Sequence, residues 1–248
     1  VTVHFVGAGP GAGDLLTVRA TRLLARADVV LYPGSYLDPD VLAHAGPAAT
    51  LTDTQHLDLD EITDRLVAAH RAGRVALRLT SGDPSLYSAL AEQTRRLDAA
   101  GVPWDVTPGV PAYAAAAAAI GRELTVPLLA QSVVLTRTRA RSTPMPGTES
   151  LAAFAATRAT LVLHLAVTAV RSLMTEIEPA YGADCPAVVV YRASQPEQRV
   201  LTATVGTIAD AVEGAGLRQA AVILVGRALD PAAGGESYLY DPDRARRR

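Results

Sequence analysis

The sequence predicts an α/β fold in two domains. Short apolar runs that end at glycine or proline corners alternate with stretches of helical periodicity along the chain. One corner is conspicuous: Thr80-Ser81-Gly82-Asp83-Pro84-Ser85-Leu86-Tyr87 follows an apolar run directly. The alternation then pauses over residues 121–127, which read as a hinge, and restarts beyond them. The expected division is residues 1–120, residues 121–230 and a tail over 231–248.

Residues 1–6 alternate like a strand and run straight into Gly7-Ala8-Gly9-Pro10-Gly11-Ala12-Gly13-Asp14. Residues 15–27 read as a helix, with Leu16, Leu23, Leu24 and Ala27 at helical spacing. Gly7-x-Gly9-x-x-Ala12 fits a loose dinucleotide fingerprint. The next strand, residues 28–32, ends in Tyr32-Pro33-Gly34, with no acidic residue to hold a ribose. Pro10 also removes a donor that a pyrophosphate would use. A nicotinamide-dependent oxidoreductase is therefore kept as a rival reading only.

Residues 40–45 read as a short helix and 49–52 as a strand. Asp58 and Glu61 form a capping-box pattern. Ile62, Leu66, Val67 and Ala69 then give an apolar face through Arg71, and Gly73 ends that helix. Residues 75–79 form the buried strand before the Ser-Gly-Asp-Pro corner. There Gly82 lets a ligand approach the backbone, and Pro84 suits the first turn of a helix expected over 88–97. Asp83 is either a rim carboxylate or a simple helix cap. Residues 104–106 form a strand, Thr107-Pro108-Gly109-Val110-Pro111 a second rigid turn, and 112–120 a helix stopped by Gly121.

Beyond the hinge the pattern predicts strands at 133–136, 160–164, 187–191 and 221–225. It places a loop at 141–147 and helices at 149–158 and 167–177, the latter stopped by Pro179. Thr207 caps a further helix, with Asp210 three residues on.

Composition excludes several classes. At 248 residues and 49% hydrophobic, the chain can bury a substantial core. A net charge of −2 argues against a general nucleic-acid binder. All 23 basic residues are arginine. Cys185 is the only cysteine, so neither an internal disulfide nor a cysteine metal cluster can form. Nothing demands an oxidising compartment, and a cytoplasmic location is expected. No apolar run reaches membrane-spanning length, and the N-terminal alternation is not a signal peptide. His4, His44, His56, His70 and His164 lack metal-ligand spacing, so no protein-bound metal is expected. No nucleophile elbow occurs. Arg137, Arg139 and Arg141 follow a strand at spacing two, so an extended chain would point all three to one side. Such a row suits a substrate with several carboxylates, or is a solvated strand end. Asp83 and Asp105 are the carboxylates best placed beside turns. No acid/base pair can be read from spacing, and no catalytic residue is assigned.

Taken together, the ordered motifs resemble the tetrapyrrole methyltransferase family, across about residues 3–229. Val6-Gly7-Ala8-Gly9-Pro10-Gly11, Arg78-Leu79-Thr80-Ser81-Gly82-Asp83-Pro84 and Pro108-Gly109-Val110 are similar to its three signatures. In the second half, Gly121-Arg122-Glu123-Leu124-Thr125-Val126-Pro127, Gln131-Ser132-Val133-Val134-Leu135-Thr136-Arg137 and Pro144-Met145-Pro146 are similar to the branch that methylates C11 of precorrin-4. So are Val190-Tyr191-Arg192-Ala193-Ser194 and Ala221-Val222-Ile223-Leu224-Val225-Gly226.

The resemblance implies a homodimer of two α/β domains with an active-site trough between the domains. It implies S-adenosyl-L-methionine as methyl donor and a tetrapyrrole polycarboxylate as substrate, in cobalamin synthesis, with no nucleic-acid or membrane partner. Carried over by motif, the cofactor contacts are Pro10, Ser81, Gly82, Asp83, Leu86, Pro111, Ala112, Leu165 and Ala193. Arg137, Arg139 and Arg141 would hold substrate carboxylates. The chain departs from the family at Ala12-Gly13, where Asp-Pro is usual, at Pro111-Ala112, where a hydroxyl is usual, and at Gln195, where Trp is usual. A sibling methylase acting at another ring carbon, and a non-catalytic tetrapyrrole- or nucleoside-binding module, are the remaining alternatives.

Overall fold

The computed structural model describes residues 1–34, 37–137 and 144–238. By contacts the chain divides into two compact units. One is Val1–Ala115 with Ala193–Pro196, and the other is Ala116–Arg192 with Glu197–Arg248. The division falls inside a helix, and a four-residue segment from far downstream belongs with the first unit.

The first unit carries strands β1 (Val3–Gly7), β2 (Val29–Tyr32), β3 (Thr50–Asp53), β4 (Ala76–Thr80) and β5 (Trp104–Thr107). They form one parallel sheet in the order β3-β2-β4-β1-β5. Helices α1 (Val18–Ala25), α2 (Pro39–Leu42), α3 (Leu59–Arg71) and α4 (Leu90–Ala99) connect them. Parallel strands need such crossovers, and both sheet faces are then covered. Val6, Leu77 and Leu79 pack with Leu23 and Leu24 of α1. Phe5, Leu31 and Ala76 pack on the other face with Ile62 and Leu66 of α3 and Leu97 of α4. The capping box of α3 forms as expected: Asp58 accepts from the Glu61 amide at 2.8 Å and Glu61 from the Asp58 amide at 2.9 Å.

Two helix starts differ from expectation. α1 begins at Val18, not at residue 15, because the Thr17 hydroxyl caps the Ala20 amide and residues 13–15 form a separate 3₁₀ turn. α4 begins at Leu90, so Pro84 does not occupy its first turn. Residues 83–89 instead make turns, with Tyr87 and Ala89 both at φ +54°.

Helix α5 (Ala112–Ala119) leads into the second unit. That unit carries β6 (Val133–Arg137), α6 (Leu151–Ala156), β7 (Thr160–His164), α7 (Val170–Tyr181), β8 (Pro186–Tyr191), β9 (Arg199–Thr204), α8 (Ile208–Gly214) and β10 (Ala221–Val225). The sheet order is β6-β7-β10-β8-β9, parallel only between β6 and β7. Its core joins Leu161, Leu163, Val189 and Ile223 to Leu173 and Ile177 of α7 and Ile208 and Val212 of α8.

Here too sequence signals mislead. Pro179 lies within α7 without stopping it, since the helix is held to its end by buried Tyr181, whose hydroxyl donates to Ala159 O at 2.6 Å. Thr207 occupies the N-cap position of α8 but makes no capping bond, its hydroxyl accepting instead from the Thr204 amide. β9 is an edge strand with no fully buried residue and has no apolar run to announce it. Among the described residues no helix is long and apolar enough to cross a membrane.

Candidate functional site

In the first unit β4, β1 and β5 are parallel neighbours, so the three loops leaving their carboxyl ends start side by side. Those loops are the three glycine or proline corners. Gly9 and Gly82 pair as an antiparallel bridge, the Gly82 amide donating to Gly9 O at 2.7 Å and the Gly9 amide to Gly82 O at 3.2 Å. A Cβ at Gly7 would stand 2.5 Å from Gly109 N, and one at Gly109 only 2.3 Å from Gly82 O. Backbone from three loops meets where no side chain could fit.

Asp83 staples this junction. Its Oδ2 accepts from the Gly109 amide at 2.8 Å, and its Oδ1 accepts from the Ser85 amide at 2.8 Å and from the Ser85 hydroxyl. Partial burial pushes the carboxyl up, but the Ser85 hydroxyl, the Gly109 amide and the Ser85 amide outweigh it and hold the pKa below the ordinary aspartate value. Asp83 is thus an ionised carboxylate stapling loops, and it caps no helix.

The segment Ala193–Pro196 closes the glycine loop from the other side. The Ser194 hydroxyl accepts from the Ala12 amide at 3.1 Å, and Gln195 Nε2 donates to Pro10 O at 3.2 Å. Ser194 is held at φ +68°. The sequence names Ala193 and marks Gln195 only as a departure; the bonds of Ser194 to Ala12 and of Gln195 to Pro10 span more than 180 residues, which no local pattern reports. Next to this segment a surface pocket of about 810 Å³ opens between Gly13, Asp14, Asp38, His44 and Gln195.

The same bonds weigh against a dinucleotide site. The amides of Ala8, Gly9 and Ala12 are already bonded to Thr80 O, Gly82 O and Ser194 Oγ, and Pro10 has none. The helix that would aim its N-terminus at a pyrophosphate starts only at Val18. What the loop presents is small residues and a nearby carboxylate, which suits a nucleoside bearing positive charge and not a diphosphate.

Pro10, Ser81, Gly82, Asp83, Leu86, Pro111, Ala112 and Ala193 all belong to the first unit. A Cβ on Gly82 would lie 3.6 Å from both Pro111 Cα and Ala112 N, so the second and third corners are in contact. Leu165 belongs to the second unit. It follows β7 at φ +53° and is 61% exposed, an unusual state for a leucine. Arg137 ends β6, in register with His164, whose pKa burial lowers. Arg137 lines a cavity of about 460 Å³ with Met145, Ser150, Ser172, Glu149 and Glu176. Arg139 and Arg141 lie outside the described residues. No group of three or more histidine, cysteine or acidic side chains is placed to hold a metal among the described residues.

Comparison with known proteins gives this geometry its context. A family model described as Tetrapyrrole (Corrin/Porphyrin) Methylases matches residues 2–209. A precorrin-4 C(11)-methyltransferase of a Sinorhizobium species is 49% identical over 247 residues, covering 100% of this chain and 98% of that protein. The X-ray structure of a cobalt precorrin-4 methyltransferase aligns with TM-score 0.89 at 40% identity, over 93% of this chain and 96% of that one. A uroporphyrin-III C-methyl transferase from Thermus thermophilus, crystallised with S-adenosyl homocysteine, aligns with TM-score 0.77 at 30% identity, over 92% of this chain and 99% of that one. With the family pattern matched from the first strand into α8 and the whole chain paralleled by relatives, the protein belongs to the tetrapyrrole (corrin/porphyrin) methylases.

Proposed function

We propose that this chain transfers the methyl group of S-adenosyl-L-methionine to C11 of precorrin-4, or of its cobalt form, in cobalamin synthesis. The observation that carries the reading is the fused corner of Gly7, Gly82 and Gly109 at the carboxyl ends of three adjacent strands, in a chain of this family. The donor, when bound, supplies an already activated methyl group, whose S–C bond pair leaves with sulfur as the substrate carbon attacks. What remains for the protein is alignment, which can supply much of the rate enhancement.

Pro10, Ser81, Gly82, Leu86, Pro111, Ala112 and Ala193 hold the donor through backbone groups and small side chains, and Leu165 is assigned to the donor on the family motif alone. Asp83 keeps the corner assembled and places negative potential near the sulfonium. Arg137 offers its guanidinium to a substrate carboxylate, and Arg139 and Arg141, outside the described residues, are assigned to further carboxylates from the sequence alone. No residue of the site is assigned as general base; the electron-rich macrocycle provides the nucleophile. The working form is a homodimer, as the family resemblance implies.

Calorimetry with S-adenosylhomocysteine and with NAD tests the donor class, with binding of the first only expected. Labelled-methyl transfer to precorrin-4, followed by NMR of the product, tests the carbon. Binding without transfer, or a methyl group at another carbon, overturns the proposal. Light scattering checks the dimer.

A further inference from the structure

Arg78 lies in the middle of β4 and is only 8% exposed. An arginine in the interior of a parallel sheet is costly, and such charges are normally paired. Among the described residues no carboxylate is within ion-pair distance of Arg78. Its acceptors are neutral: Nε donates to Gln93 Oε1 at 3.2 Å and Nη1 to Thr54 Oγ1 at 3.1 Å. Desolvation lowers its pKa to about 10, which still leaves it charged at neutral pH.

The consequence lies one bond further on. With its oxygen turned to the cation, the Gln93 amide must aim its Nε2 the other way. There it donates to Ser88 O at 3.3 Å and Ala89 O at 3.2 Å. Those carbonyls end the loop that starts at Ser81, and the return of that loop is strained at Tyr87 and Ala89. Gln93 itself is 1% exposed. On the other flank the Thr54 hydroxyl donates to Tyr32 O at 2.9 Å, at the end of β2. A single buried cation thus fixes, through Gln93, the far end of the loop whose near end Asp83 staples to Gly109.

We infer that Gln93, oriented by Arg78, is a positioning residue for the methyl donor: it holds the strained Ser88-Ala89 return so that Leu86 and the Ser81-Gly82 backbone keep their binding geometry. The inference rests on the donor site proposed above.

Gln93→Glu and Gln93→Met separate this role from a merely structural one. Gln93→Glu keeps an acceptor for Arg78 and makes it ionic, but removes both donors to the loop. Gln93→Met removes both sides. In S-adenosylhomocysteine calorimetry, Gln93→Glu should bind about tenfold more weakly, the loss of one to two hydrogen bonds. Its thermal midpoint should fall less than that of Gln93→Met, because the bond to Arg78 is kept. Amide exchange over residues 81–90 should accelerate in both variants. Unchanged affinity and exchange in Gln93→Glu, with loss only in Gln93→Met, would reduce the pair to packing and overturn the inference. Failure of Gln93→Glu to fold would overturn it as well, since the lost donors would then serve the fold and not the loop. If the parent protein itself does not bind S-adenosylhomocysteine, the donor reading fails instead, and the two failures are told apart.

Discussion

The two units use a five-stranded sheet to different ends. In the first, every strand is parallel, so all carboxyl ends face one edge and three loops fuse there into a backbone junction. In the second, only β6 and β7 are parallel neighbours, their ends carrying Arg137 and leading into Leu165, while the end of β8 leads the chain into Ala193–Pro196. The antiparallel remainder serves packing of α7 and α8. The first unit therefore gathers its candidate residues at a junction of glycine, proline and main chain, whereas the candidates on the second unit, Arg137 and Leu165, are side chains at strand ends. Substitutions should be punished differently in the two: by steric exclusion in one, and by loss of a charge or a contact in the other.

The largest expected effect follows from close approach. Gly109→Ala puts a methyl 2.3 Å from Gly82 O, and backbone on both sides cannot yield, so a loss of about 3 kcal/mol in stability is expected. Gly147 in the second unit has nothing within 4 Å of its would-be Cβ, and Gly147→Ala should stay within about 0.5 kcal/mol. Denaturant unfolding of both variants compares the two; equal effects would erase the contrast.

Asp83 supplies the next. Its carboxyl has a lower pKa folded than unfolded. The stability it contributes is therefore present above the unfolded value, about 3.9, and is lost as pH falls through the folded value. Asp83→Asn should be less stable than the parent at pH 6, with the gap narrowing below about pH 4. A gap that does not change with pH would mean the carboxylate charge is irrelevant to the junction.

Much of the fold was legible because it is local. The α3 capping box, the stop at Gly121 and the buried strands at β4, β7 and β10 each follow from residues within a few positions. The misses share one cause, a nearby bond or anchor competing with the pattern. Thr17 capping Ala20 delayed α1, Asp83 turned away from helix capping toward Gly109, and Tyr181 carried α7 past a proline. The three corners could be named from sequence, but their fusion could not. Strand order brings β4, β1 and β5 together, and order is a property of the whole chain. Ser194 and Gln195 closing the glycine loop is the extreme case.

Arg137→Glu probes the side-chain contribution of the second unit. Reversal at the end of β6 should weaken the polycarboxylate substrate by about tenfold or more, the scale of a charge-assisted hydrogen bond. S-adenosylhomocysteine affinity should not move. Equal loss of both ligands would mean that the division of labour between main chain and side chains is wrong.

The smallest effect belongs to Tyr181, which tests whether the second unit can be weakened without touching the donor site. Its buried hydroxyl donates to Ala159 O, and burial first, with Cys185 adding, holds the phenol up at about 12. Tyr181→Phe should cost about 1 kcal/mol at neutral pH, one buried hydrogen bond with its partner left unpaired. The phenol's pKa is higher folded than unfolded, so full stability holds below about pH 10 and is lost as pH rises through the folded value. The variant lacks this ionisation, so its deficit should shrink above about pH 10. Amide exchange should locate the loss in α7 and β7, with S-adenosylhomocysteine affinity unchanged. A fall in that affinity would show that the main-chain junction of the first unit depends on side-chain packing in the second.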